Sequence, residues 1–152
     1  MAQPDSLPTD SPQSAPPQIN LDYAFSLRID SGGRIQFEGQ MRSRVFEPAA
    51  GGEIWGPKLQ GRVVPQSGAD FASNDLTDMH MMLQTSDGTW VYMNLLGYEH
   101  TQTEDGSPYF RVAPYFDAPR GPHEWLAKTV FLGTGARHQN PAHTLIHFYE
   151  VL

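Results

Sequence analysis

Residues 51–71 read Gly51-Gly52-Glu53-Ile54-Trp55-Gly56-Pro57-Lys58-Leu59-Gln60-Gly61-Arg62-Val63-Val64-Pro65-Gln66-Ser67-Gly68-Ala69-Asp70-Phe71, and this stretch decides the fold. Glycine and proline punctuate it at turn positions, because Gly tolerates positive φ and Pro fixes φ. The run Glu53–Val64 between them has strand length and strand composition. The pattern repeats outward in both directions. Further turn signals stand at Ser31-Gly32-Gly33, Ser86-Asp87-Gly88, Glu104-Asp105-Gly106-Ser107-Pro108, Arg120-Gly121-Pro122 and Asn140-Pro141. The intervening runs predict strands over Ile19–Ile29, Arg34–Phe46, Glu53–Val64, Met79–Thr85, Thr89–Leu96, Tyr109–Tyr115, Thr129–Gly133 and Thr144–Leu152. Short strands evenly spaced by turns point to an all-β sandwich or barrel. The last run is strongly apolar and reaches the C-terminus, so it needs a partner on each side; closing the sheet removes the edge. The expectation is a single antiparallel β-barrel of about 8–10 strands. Pro122 to Lys128 adds one or two helical turns at most.

Composition bounds the rest. Residues 1–18 are mostly Pro, Ser, Gln, Asp and Thr, a mixture that cannot bury enough apolar surface to offset its ordering entropy. They are expected to be a disordered N-terminal arm, and residues 19–152 a single domain. The arm lacks the basic start and apolar run of a secretory signal. No apolar run approaches the roughly 20 residues that span a bilayer. There are no cysteines, which excludes disulfides and Cys-ligated zinc and fits a cytoplasmic location. Net charge is −7, and the ten basic residues are scattered without a stripe. Nucleic acid and anionic membrane surfaces are therefore not expected partners.

The chain resembles the family known as domain of unknown function 3237, also called uncharacterised protein family 0311. The resemblance covers about Val45 to Leu152 and rests on ordered pieces: the Gly51–Gly61 strand; Ser67-Gly68-Ala69-Asp70-Phe71; Asp78 followed by Asp87-Gly88; Tyr109-Phe110-Arg111 with Pro114; and Trp125-Leu126 followed by Phe131, Gly133 and Gly135. It implies a small antiparallel β-barrel with a central cavity. It also implies an association of some relatives with natural-product pathways, where ring closure by proton transfer has been suggested. Where many relatives carry Asp-x-Arg, this chain carries Asp78-Met79-His80, so a histidine stands where relatives place an arginine. Histidine can carry a proton near neutral pH.

The residues themselves offer one constellation for chemistry. Asp78, His80, Met82 and Gln84 share one strand face by period two, and Met79, Met81 and Leu83 share the other. The next strand places Trp90, Tyr92 and Asn94 on one face and Val91, Met93 and Leu95 on the other. A tight hairpin through Asp87-Gly88 aligns the two polar-aromatic faces. Carboxylate, imidazole, phenol and indole together suit a planar, oxygenated ligand whose protons move. Turned into an enclosed hollow, that face is a site. Turned to solvent, with the methionines as core, it is an ordinary wet face of an antiparallel sheet.

Other candidates are single residues. Asp70 reads either as a general base at a pocket rim or as an acid that bonds loop backbone groups. Arg111 reads as a clamp for an anionic or phenolate ligand, or as the partner of an acid such as Asp70 or Asp78; Lys128 and Arg44 are weaker candidates of the same kind. Metal ligation has little support. His143 and His147 share a strand face but lie about 13 Å apart at roughly 3.3 Å per residue, and no HExxH motif occurs. Gly133-Thr134-Gly135 reads as a strand-end bend.

These readings converge on a cofactor-free, small-molecule-binding barrel, its ligand aromatic or polyketide-like. In the enzyme version His80 shuttles a proton and Asp78 orients it. Tyr92 and Arg111 hold oxyanion charge, while Asp70, Trp90, Asn94 and Lys128 contact substrate. The rival is a carrier with the same pocket and no turnover. Exposed aromatics would also allow a homo-oligomer.

Overall fold

The computed structural model describes residues 15–152. Among these it holds ten strands: β1 (Leu21–Ser31), β2 (Ile35–Glu38), β3 (Ser43–Trp55), β4 (Gly61–Val63), β5 (Ala69–Asp70), β6 (Leu76–Thr85), β7 (Trp90–Thr101), β8 (Pro108–Asp117), β9 (Phe131–His138) and β10 (His143–Val151). A 3-10 turn at Glu124–Ala127 is what remains of the expected helical segment. No helix among the described residues is long and apolar enough to cross a membrane. Most of the expected N-terminal arm lies outside the described residues, and residues 15–20 carry no regular structure.

The sheet runs β1-β10-β9-β8-β7-β6-β4-β3, and β3 pairs back onto β1. All of these pairings are antiparallel, so eight strands close into a barrel. β2 extends β3 as a hairpin, and β5 bridges β3 and β6 beside β4. The apolar C-terminal strand β10 lies between β1 and β9, paired on both sides. The fold expected from turn and strand spacing is the one observed.

The interior is filled by side chains. Phe25, Phe116, Phe131 and Phe148 are completely buried, their rings tilted or edge-on with centroids 5.1 to 6.2 Å apart, the arrangement that aromatic quadrupoles favour. Met79, Met81, Leu83, Val91, Met93 and Leu95 complete the core. At one end a cavity of about 10 Å³ lies between Ile29, Met79, Asp70 and Arg137. That is room for about one water molecule.

Several local readings are corrected. Gly51-Gly52 is not a turn but lies inside β3, with φ of 143° and 152°. The β1–β3 register slips there, Asp30 facing Gly51 and Ser31 facing Ala49, so the pair forms a bulge that bends the strand. A Cβ on Gly52 would stand 1.8 Å from the Arg28 carbonyl oxygen, which explains the glycine. The run Arg34–Phe46 is two strands, broken at residues 39–42, and Glu53–Val64 is broken at Gly56-Pro57. β9 continues through Gly133-Thr134-Gly135 to His138 instead of ending in a bend. Ser86-Asp87-Gly88 is the expected tight hairpin: the Thr85 N–H donates to the Thr89 carbonyl at 2.9 Å, and Gly88 takes φ of 89°.

Candidate functional site

The central correction concerns direction. Along β6, residues 77, 79, 81, 83 and 85 are buried, and along β7 so are 91, 93 and 95. The polar-aromatic face carrying Asp78, His80, Trp90, Tyr92 and Asn94 therefore lies on the outer wall of the barrel, not around a central cavity. The reason is energetic. Period two allows two phases, and the phase with Met, Leu and Val inside removes more apolar surface from water without burying a charge.

Outward residues of β6, β7 and β8 form rows across this wall. Leu76, Tyr98 and Arg111 make one row, Asp78, Leu96 and Ala113 the next, then His80, Asn94 and Tyr115, then Met82, Tyr92 and Asp117. A groove of about 660 Å³ lies over the first two rows, within the usual range of about 300–1,000 Å³ for small-molecule sites. Its sides are Arg42 just before β3 and Arg44 near its start, Phe71 and Ser73 between β5 and β6, and Leu132 on β9. Leu96 and Tyr98 are 58% and 60% exposed, an unusual placement for large apolar groups on the solvent phase of a strand.

Asp78 stands at the edge of this floor beside the imidazole of His80. Its Oδ1 lies 2.8 Å from His80 Nε2. The contact is an ion-pair distance without hydrogen-bond geometry, for that buried oxygen accepts no hydrogen bond from any described residue. On the far side of the ring, His80 Nδ1 and the Tyr92 hydroxyl are hydrogen-bonded at 2.9 Å. Carboxylate, imidazole and phenol thus run as a chain along the wall, each partly open to solvent.

Asp70 lies on the other side of the sheet. It is buried, its Oδ1 accepts the backbone N–H of Asp78 at 3.3 Å, and its Oδ2 accepts Arg137 Nη2 at 2.8 Å. Arg137 also donates to Glu99 and to Thr144 Oγ1, and lies 4.9 Å over the Phe110 ring. Burial pushes the Asp70 carboxyl above its ordinary value, with the Arg137 charge opposing. Burial works against the Arg137 charge as well, yet Glu99 and Asp70 outweigh it and hold the guanidinium above its usual value.

The structure brings Asp78 and Arg111 into one groove and sets His80, Tyr92 and Asn94 on the adjoining rows. Trp90 is farther along the wall, opposite Gln84. Lys128 is outside the groove, 3.5 Å from Glu124, and Asp70 is behind the wall. Sequence reasoning missed Arg42, Phe71, Leu96, Tyr98 and Leu132 as lining residues, and Arg137 altogether. Leu96 and Tyr98 did carry a signal: they continue the outward phase of β7 with apolar groups, Leu96 at the expected end of that strand and Tyr98 two residues past it. Among the described residues no three His, Asp or Glu side chains come together as metal ligands.

The model of a family described as protein of unknown function (DUF3237) matches residues 17–151. The chain belongs to this family. Among DUF3237 relatives, the UPF0311 protein RPA1785 of Rhodopseudomonas palustris is 28% identical over 155 residues, covering 90% of this chain and 99% of its own. A β-barrel-like protein from Acinetobacter baumannii, known from a crystal structure, is similar with a TM-score of 0.79 at 24% identity, over 92% of this chain and 100% of that one. An enzyme from Penicillium herquei is similar with a TM-score of 0.69 at 22% identity, over 91% and 98%. At such identities the structural likeness establishes the DUF3237 barrel and nothing about its chemistry.

Proposed function

We propose that the outer groove holds a small, planar, oxygenated molecule and that Asp78 and His80 move a proton on it without a cofactor. The observation that carries this reading is the Asp78 carboxylate, its Oδ1 2.8 Å from His80 Nε2, at the edge of an apolar floor. A carboxylate beside an imidazole at the edge of an apolar hollow is placed to exchange a proton with a bound ligand. The Asp78 carboxylate takes a proton from an acidic carbon or hydroxyl of the ligand. The electron pair left behind moves onto a conjugated oxygen, and Arg111 faces that developing charge. His80, hydrogen-bonded to Tyr92 through Nδ1, passes the proton between Asp78 and solvent. Return of the proton to another atom completes an isomerisation, a ring closure or an addition. That a similar barrel from Penicillium herquei is called an enzyme supports catalysis on this fold.

The test needs no natural substrate. The ring C–H positions of 1,3-dihydroxynaphthalene exchange through its keto tautomer, and NMR in deuterated buffer reads the rate. The full chain should accelerate exchange more than about tenfold over buffer at equal pH, a modest share of what general acid–base groups supply. Asp78→Asn and His80→Gln should abolish the gain. An unaccelerated rate, or one indifferent to both substitutions, removes the enzyme reading. The wide exposure of Leu96 and Tyr98 favours a second reading, a carrier with an open groove; it binds the naphthalene ring and exchanges nothing.

A further inference from the structure

Resting on the groove being a small-molecule site, we infer that its ligand is an anion: a carboxylate or phenolate carried on a flat aromatic framework. The chain has 17 acidic and 10 basic residues, yet few of the basic side chains meet a carboxylate. Arg28, Lys58, Lys128 and Arg137 each have one within 4.0 Å. Arg34, Arg42, Arg44, Arg62, Arg111 and Arg120 have none among the described residues. Arg111 donates to the neighbouring Phe110 carbonyl at 3.0 Å and lies over the Tyr109 ring, and Arg42 reaches Ser73 Oγ at 3.5 Å.

Three of these six unpaired guanidinium groups, those of Arg42, Arg44 and Arg111, line the same groove, and Asp78 is the one acid that lines it with them. Three like charges around one apolar hollow repel each other, and an anion in the hollow relieves that repulsion. The planar fork of arginine matches carboxylate geometry, and its face stacks on aromatic rings. Between the arginines the surface is Leu76, Leu96, Leu132, Phe71 and Tyr98, which suits the flat apolar remainder of such a ligand. The arginines then fix the anionic group while the ring system reaches the Asp78 end, which gives the proton transfer a defined direction along the ligand.

The experiment compares 2-naphthoate with its neutral methyl ester, titrated by calorimetry against the full chain. The acid should bind at least about tenfold tighter, as expected when charge-assisted hydrogen bonds are added to the same ring. Most of that preference should vanish in Arg111→Gln and in Arg44→Gln, and it should shrink with added sodium chloride. Thermal melts verify that these exposed substitutions leave the fold intact. Equal binding of acid and ester, or a preference indifferent to the arginines, overturns the anion while leaving the groove as a neutral-ligand site. If neither compound binds, and sedimentation shows self-association that the same arginine variants abolish, the groove belongs to a second copy of the chain. Both the anion and the small-molecule reading then fall.

Discussion

Asp70 and Asp78 face opposite sides of the barrel wall, yet the carboxylate of the first accepts the backbone N–H of the second at 3.3 Å. The Phe71 N–H returns a bond to the Asp78 carbonyl at 2.8 Å. The interior charge cluster therefore pins the segment of β6 that presents Asp78 to the groove. Interior and outer wall are coupled through one strand.

Removing Arg137 should be costly. Arg137→Met leaves Asp70 buried without its partner, and stability should fall by about 3 kcal/mol, the usual scale for breaking a buried pair. Adding Asp70→Asn to that variant should restore part of the loss, because the orphaned acid is gone. Urea denaturation of the two single variants and the double variant measures the coupling; strict additivity would show that the pair does not interact.

Two acids should give pH dependences of opposite sign. Burial raises Asp70, so its contribution is fully present below the ordinary carboxylate value near about 3.9 and is lost as pH rises through the raised value. Asp70→Asn should gain on the wild-type chain as pH climbs from about 4 toward 7. Asp87 is held below its usual value by hydrogen bonds from Thr85, His123 and Thr89. Its contribution is present above the ordinary value and lost as pH falls, an effect softened by full exposure. Asp87→Asn should lose to wild type at neutral pH and converge with it in acid. Melting temperatures across this range test both signs.

Two glycines should respond differently to alanine. At Gly68 a Cβ would stand 1.7 Å from the His80 carbonyl oxygen and 2.7 Å from Met81 Cα. Backbone meets backbone there, nothing can yield, and the loss should reach about 3 kcal/mol or more. At Gly88 the space is open and only φ of 89° objects, so Gly88→Ala should cost about 1–2 kcal/mol. Denaturation midpoints decide the order.

Core and groove should separate stability from binding. Phe148→Ala opens a hole among four buried phenylalanines and should cost about 3–5 kcal/mol. Leu96→Ala lies on the wet face, so stability should change by about 0.5 kcal/mol at most, while 2-naphthoate binding weakens. A Leu96→Ala variant as unstable as Phe148→Ala would mean that the outer wall is part of the core.

The sequence made β6, β7 and their hairpin legible, because alternation is clean there and Ser86-Asp87-Gly88 has one natural use. It also grouped Asp78, His80 and Tyr92 correctly on one face. It did not say which face was dry: both phases carry large side chains, and period two is silent about direction. Gly51-Gly52 reads alike as a turn or a bulge until β1 is placed beside it. Arg137 was invisible because Gly133-Thr134-Gly135 passed for a strand end, although those glycines lie within a continuous β9. The arginines of the groove come from strands distant in sequence, and only barrel closure brings Arg42 and Arg44 near Arg111.

The most direct measurement is a proton–nitrogen NMR titration of the full chain with 2-naphthoate. A site on the outer wall predicts that the amides of Asp78, Leu96, Tyr98 and Arg111 shift together, saturably, while those of Ile29, Met81 and Thr144 hold still. Shifts concentrated on Ile29, Asp70 and Thr144 would place the ligand inside the barrel and contradict the account.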